Sequence, residues 1–502
     1  MVKEKKPGLL KNFLNSNKEY PVLAGVAAGL YPLIFYYSQN FTMVDSWEHL
    51  GFFLTLFVLL PIVFFKLIDW LIKRRTFGWK KYILPFLNLF VFLCLLKLVL
   101  FTGIQKKIVL GIFILAFTTA FFLHQHFKNW VIIQLILAVI GVFSLAPVMI
   151  KNLNYSEVWM QQPDNIENVV FKKKPNVYYI QPDGYANFSE LGSGYYNFDN
   201  SEFETFLEQN SFKSYADFRS NYDATLASNS SIFMMKHHFY SASTGSGEVA
   251  RARNIILGNN TVLKAFKNNG YTTHFFAEFP YLMMNRPTMG YDFSNFSYSE
   301  VPFLGTGLEN KKEILPDLKN LWTQNNSTQP RFVFIEIFNP KHIDGSSTGE
   351  NLAFKKREKY IKDLHEANIT LKGIVQTILE NDPDALIIIM ADHGGYVGFE
   401  KLQQGNEKIT DRDKIYSIFS SILSIHWPHG KAPEFYDVNL KTSVNTFRII
   451  FSFLSENSKY LNHLEKNSSY GIINKGAPKG IYELIDENGK IVFNNMSLLK
   501  AD

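Results

Sequence analysis

Apolar residues are spread very unevenly along this 502-residue chain. Up to about residue 150 they gather into five near-continuous runs, at roughly 20–41, 49–72, 82–102, 108–122 and 130–150. Most approach the ~20 residues a helix needs to cross the hydrocarbon core of a bilayer. The fourth is the shortest. Joined by short loops, they predict an N-terminal domain of about five membrane helices over residues 1–150. Residues 151–175 are polar, with adjacent glutamines at 161 and 162 and a basic cluster at 172–174, and read as a linker. From 176 to 502, short apolar runs alternate with amphipathic stretches. Residues 272–276 and 332–338 read as strands, 200–210, 259–269 and 352–379 as helices, and 417–426 as a further buried element. That alternation predicts an α/β domain around a central, mainly parallel sheet. No internal repeat or long low-complexity stretch interrupts it.

Charge adds a direction. Lys3, Lys5, Lys6, Lys11 and Lys18 precede the first apolar run, and Lys73, Arg74, Arg75, Lys80 and Lys81 fall between the second and third. The loop at 42–47 has neither Lys nor Arg. Basic segments stay on the cytoplasmic side, so the chain is expected to start inside and, after five crossings, to place its C-terminal domain on the outer face of a bacterial-type cell membrane. Lys106 and Lys107 run against this pattern. The first run is expected to serve as an uncleaved anchor. The net charge of +6 is concentrated in these cytoplasmic segments, and no basic, aromatic-interleaved stretch points to nucleic acid. The one cysteine, Cys94, lies in the third run, so the outer domain has neither a disulfide nor a cysteine nucleophile.

The chemistry gathers at strand ends. LIIIMADHGG (386–395) is an apolar run closing on Asp392, His393 and two glycines. NVYYIQPDG (176–184) closes on Asp183 and Gly184. Ligands in open α/β sheets bind at the carboxyl ends of strands, and an Asp-His pair suits a hard or borderline metal ion. RSNYDATLASNSSIFMM (219–235) places several hydroxyls ahead of a helix-like run, where free backbone N–H groups can face a phosphate.

Five stretches in order, YYIQPDGY, FDNSEFETFLEQNSF leading into SNYDATLASNSSIFMM, FVFIEIFNPKH, LIIIMADHGG and SVNTFRIIFSFL, resemble the membrane-anchored branch of the alkaline phosphatase superfamily. These are the sulfatase-like phosphoglycerol or phosphoethanolamine transferases. The resemblance implies an alkaline-phosphatase-like α/β domain and one divalent ion, zinc or manganese, held by Asp183, Thr225, Asp392 and His393. It makes Thr225 the nucleophile, because this residue opens the helix-like run and fits the pattern S-N-Y, two residues, T. Ser220, Ser228 and Ser230 compete for that place. Asn221 and His342 are implied as substrate contacts. Where relatives have a Pro-His step with a further His upstream, this chain inserts Lys341 between Pro340 and His342 and carries Glu336. Relatives with a fuller histidine set bind a second metal, so a single ion is expected here. His237 and His238 are expected to be structural. The implied reaction moves a phospho-head group from a membrane phospholipid to an envelope glycan or glycolipid through a phospho-threonine. A membrane-bound phosphoester or sulfoester hydrolase, or a non-catalytic helper in envelope polysaccharide assembly, stays open. The C/S-x-P-x-R signature of true sulfatases is absent.

Overall fold

The computed structural model describes residues 9–74, 78–101, 103, 105–240, 249–323, 329–343 and 351–496. Of the basic residues used to orient the chain, Lys3, Lys5, Lys6 and Arg75 lie outside these. The chain divides into two compact units, Met1–Tyr155 with Phe303–Gly305, and Ser156–Pro302 with Thr306–Asp502.

The first unit is helical. After a short helix, Leu9–Asn15, its rods are α1 (Pro21–Val44), α2 (Trp47–Lys73), α3 (Lys80–Leu100), α4 (Lys106–Leu123) and α5 (Phe127–Leu153). Among the described residues, four stretches are long and apolar enough to cross a membrane; the last, Lys106–Met160, joins α4 and α5 through the turn His124–His126. Contacts set the rod directions. Gly25 lies against Ile62 and Gly29 against the carbonyl of Phe57, so α2 runs back along α1. A Cβ at Gly29 would fall 1.5 Å from the Phe57 oxygen, so this backbone-to-backbone approach requires glycine, as small-xxx-small helix pairs do. Tyr82 meets Phe121 while Phe86 meets Phe113, so α4 runs back along α3. Both α3 and α5 run with α1. Asn88 and Gln134 exchange two 3.0 Å amide bonds, and Asn88 also donates to the Ala24 carbonyl at 2.9 Å. That ties α1, α3 and α5 together with no buried amide left unpaired there, as an apolar surround demands.

The second unit is an α/β domain. Its sheet has the order β2-β7-β6-β1-β5-β3-β4. The strands are β1 (Val177–Pro182), β2 (Phe212–Ser214), β3 (Thr272–Ala277), β4 (Phe293–Ser294), β5 (Arg331–Ile337), β6 (Leu386–Met390) and β7 (Leu423–His426). Every pairing from β6 to β4 is parallel, while β7 is antiparallel to both β6 and β2. The central strands β1, β5 and β6 are buried along their whole length, hence their mostly apolar sequences. Leu352–Asn381 covers one face through Tyr360, Leu364, Leu371 and Ile378, and Thr446–Ser455 is buried throughout. The stretch 417–426 resolves into the end of a helix, Arg412–Phe419, and then β7. A second sheet of three antiparallel strands, β8 (Ser469–Ile473), β9 (Gly480–Ile485) and β10 (Ile491–Asn495), follows.

Of the residues read as a linker, 151–153 close α5, and those from 162 to 173 are docked on the α/β core. Ile166, Val169 and Phe171 are buried, and the buried Arg448 guanidinium donates to Asp164 and Gln162 at 2.6 Å each. The amides of Lys172 and Lys173 both donate to the Leu454 carbonyl.

Candidate metal centre

Three chain segments meet at the carboxyl edge of the parallel strands. Asp183 follows β1 directly. Its amide donates to the Ile337 carbonyl at the end of β5, and its own carbonyl accepts from the Lys341 amide. The adjacent Gly184 has φ +67° and lies against the backbone of Lys341 and His342; a Cβ there would stand 2.7 Å from the Lys341 carbonyl carbon. Only glycine fits that turn, and its amide donates to Asp392 Oδ1 at 3.3 Å. Asp392 and His393 follow β6, which is hydrogen-bonded to β1, so the two strand ends lie side by side.

Thr225 is the first residue of the helix Thr225–Met234. Its hydroxyl donates to Asp183 Oδ1 at 3.4 Å and lies 3.4 Å from His393 Nε2. His393 Nε2 is in turn 3.4 Å from both Asp183 Oδ1 and Asp392 Oδ2. One ligand atom each from Asp183, Asp392 and His393 fall within 4.8 Å of one another, and all three side chains are buried. Asp392 Oδ2 is sealed from solvent without a hydrogen-bond partner, which is costly for a carboxylate unless a cation takes that place.

The electrostatics agree. Burial and the neighbouring Asp392 carboxylate push the Asp183 carboxyl up to about 7, against the opposing pull of His393 and the Thr225 hydroxyl. Burial depresses the His393 imidazole, but Asp392 and Asp183 outweigh it and the net shift is upward. Two carboxylates and one imidazole crowded out of water could hold a divalent metal ion, and the Thr225 oxygen is a further hard donor beside them.

The competing hydroxyls are spent elsewhere. Ser220 and Ser228 donate to the Tyr222 carbonyl and Ser230 to the Leu226 carbonyl, and all three are fully buried. Thr225 is the candidate whose hydroxyl reaches the acidic cluster. Asn221, expected as a substrate contact, is also fully buried. Its amide nitrogen donates to the Ser468 carbonyl at 2.7 Å, and its amide oxygen accepts from the Val444 amide and the Ser443 hydroxyl. With every polar atom engaged in holding three segments together, it does not line the cleft. His237 and His238 are buried with Nε2 against the carbonyls of Lys466 and Ala227, as structural histidines are.

A cleft of about 460 Å³ opens over Thr225 and His393. His342 lines it, its ring centroid 5.9 Å from that of His393. Burial, then His393, pulls its imidazole down, so it is neutral, and its Nδ1 faces the Ile343 carbonyl at 3.0 Å. Three polar lining residues, Asp223, Tyr396 and Lys479, are among those not singled out from the sequence. Asp223 accepts from the Tyr240 hydroxyl, Tyr396 donates to the Asp223 carbonyl at 2.7 Å, and Lys479 arrives from the loop between β8 and β9. Asp223 and Tyr396 stand next to quoted motifs, and adjacency was the available signal. Lys479, so distant along the chain, gave none. Glu336, noted where a histidine was expected, is buried on β5, where burial, Asp183 and Asp392 push its carboxyl well above the ordinary range.

Residues 190–417 match a family model described as Sulfatase. That stretch, a little under half of the chain, is sulfatase-like. The match takes in Thr225, Asp392 and His393 and begins just after Asp183. No curated protein matches the chain at the level of sequence. Among solved structures, it resembles the zinc complex of the C-terminal periplasmic domain of EptC from Escherichia coli (9% identity, 57% of this chain and 83% of that one, TM-score 0.40). It also resembles the lipoteichoic acid synthase LtaP from Listeria monocytogenes (13%, 67% and 93%, TM-score 0.39). A third is the integral membrane lipooligosaccharide phosphoethanolamine transferase EptA from Neisseria meningitidis (11%, 88% and 96%, TM-score 0.38).

Proposed function

We propose that this sulfatase-like chain is a metal-dependent phosphotransferase. It would take the phospho-head group, of phosphoglycerol or phosphoethanolamine type, from a membrane phospholipid and pass it to an envelope glycan or glycolipid. The observation that carries this reading is the Thr225 hydroxyl, 3.4 Å from both Asp183 and His393 at the floor of the cleft. Asp183, Asp392, His393 and Thr225 would hold one zinc or manganese ion. Such an ion supplies Lewis acidity, lowering the pKa of a coordinated hydroxyl and offsetting charge on phosphoryl oxygens.

The residues do the rest. Thr225 Oγ1 attacks the head-group phosphorus; the Oγ1–P bond forms, the P–O bond to diacylglycerol breaks, and diacylglycerol leaves with a proton. Positioned at the first turn of its helix, the threonine offers backbone N–H groups and the positive dipole end to the phosphoryl oxygens. His342, neutral and against the cleft, would orient the phosphoryl group. An acceptor hydroxyl then attacks the phospho-threonine and restores Thr225. The apolar helices account for the substrate: an enzyme confined to a bilayer meets a lipid donor at high effective concentration. We place the α/β domain on the outer face, after five crossings from a cytoplasmic start.

The test uses the full chain in lipid nanodiscs with phospholipid radiolabelled in the head-group phosphate. The wild type should carry label on Thr225 after quenching without acceptor, and Thr225→Ala should carry none while keeping its thermal transition. Label released to water as free head-group phosphate would make the chain a hydrolase. An unlabelled wild type with bound metal would remove the enzyme reading.

A further inference from the structure

The helical unit holds a cavity of its own, far in chemistry from the metal centre. It measures about 400 Å³ and lies at the end of the bundle where α1, α3 and α5 begin. Lys18, Lys81, Lys128 and His124 line it, with Tyr20 and Phe127 among its less polar walls. One acid, Glu19, shares the lining, and Lys80, Asp69 and Lys73 are its charged neighbours. Lys128 donates to the Phe13 and Ser16 carbonyls, which fixes its ammonium at the wall. Lys18 and Lys81 have no ion-pair partner among the described residues. Three helices point their N-terminal ends at the same place, and none of the three has a side-chain cap on its first turn. Their dipoles therefore add to the charge of the lysines.

Three lysines and a histidine gathered in a cavity at the end of apolar rods attract an anion from the membrane surface. We propose that this cavity binds a phosphate group, carried by an anionic phospholipid whose head group enters between α1, α3 and α5. Basic pockets between membrane helices at the interface recognise lipid phosphates in this way. The site is independent of the reaction proposed for the α/β domain and would stand if that reaction proved wrong.

The test is native mass spectrometry of the full chain, delipidated in detergent and titrated with phosphatidylglycerol, phosphatidylcholine or inorganic phosphate. The wild type should retain phosphatidylglycerol in preference to phosphatidylcholine. The double variant Lys18→Gln/Lys81→Gln should bind it about 30-fold more weakly, roughly fivefold per lysine. Lys18→Arg/Lys81→Arg should restore binding. Lys106→Gln/Lys107→Gln, which removes the same charge at the start of α4 at the other end of the bundle, should leave it unchanged. Displacement by inorganic phosphate would assign recognition to the phosphate group alone, and persistence would assign it to the lipid with its chains; both support the site. Equal retention of the two lipids, or undiminished binding in the glutamine variant, overturns it.

Discussion

Stripping the divalent cation should make this chain less stable as pH rises from 5 to 8, the reverse of ordinary acid unfolding. The folded Asp183 carboxyl titrates near 7, while an unfolded one titrates at its ordinary 3.8. Between those values the folded state holds a proton the unfolded state has lost, so stability is full below about pH 4 and falls as pH rises through 7. His393 acts in the same direction: its folded imidazole is raised, so its contribution is present below its ordinary 6.5 and lost above the raised value. Of the shift from 3.8 to about 7, the part between pH 5 and 7 is worth about 3 kcal/mol at most. For a domain of this size that is a loss of roughly 4 °C in the melting temperature. A bound cation substitutes for the protons, and at a hundredfold excess over its Kd should return about 2.7 kcal/mol at pH 8. Thermal melts of chelator-treated full chain at pH 5 and 8, with and without zinc or manganese, read both effects. Asp183→Asn should flatten the slope. Metal-free stability that is level or increasing from pH 5 to 8, or a slope that survives in Asp183→Asn, would refute the reasoning.

Three substitutions separate architecture from chemistry. Gly184→Ala forces a Cβ to within 2.7 Å of backbone at φ +67°, and should cost about 3 kcal/mol in chemical denaturation; near-wild-type stability would mean the turn is looser than described. Asn221→Ala removes three interior hydrogen bonds and should cost about 3 kcal/mol with an unchanged KM, whereas a raised KM at full stability would return it to the substrate. Ser228→Ala should lose about 1 kcal/mol and keep its turnover, since its hydroxyl serves the Tyr222 carbonyl; loss of turnover comparable to Thr225→Ala would relocate the nucleophile.

What could be read from the sequence was what strands buried on both faces make visible. β6 is apolar throughout and β1 nearly so because both their faces are covered, so the point where each run ends in Asp183 or Asp392-His393 marks the sheet edge, and their pairing brings the two ends together. The same full burial hid β7: within 417–426 the helix end and the strand are both buried, so neither a 3.6- nor a 2-residue period separates them. Asn221 failed for a different reason. A polar residue beside a nucleophile looks like a ligand contact, but the amide's geometry suits it equally to bridging three backbone segments, and only the neighbours from 443–444 and 468 decide between the two. The hydroxyls also divide by what lies opposite them: Ser220, Ser228 and Ser230 turn back onto local carbonyls, and Thr225 faces the acids. Residues whose role is fixed by local backbone can be read along the chain. Those whose role is fixed by what lies opposite cannot, and the cleft wall over Thr225, part of which comes from the loop carrying Lys479, is of the second kind.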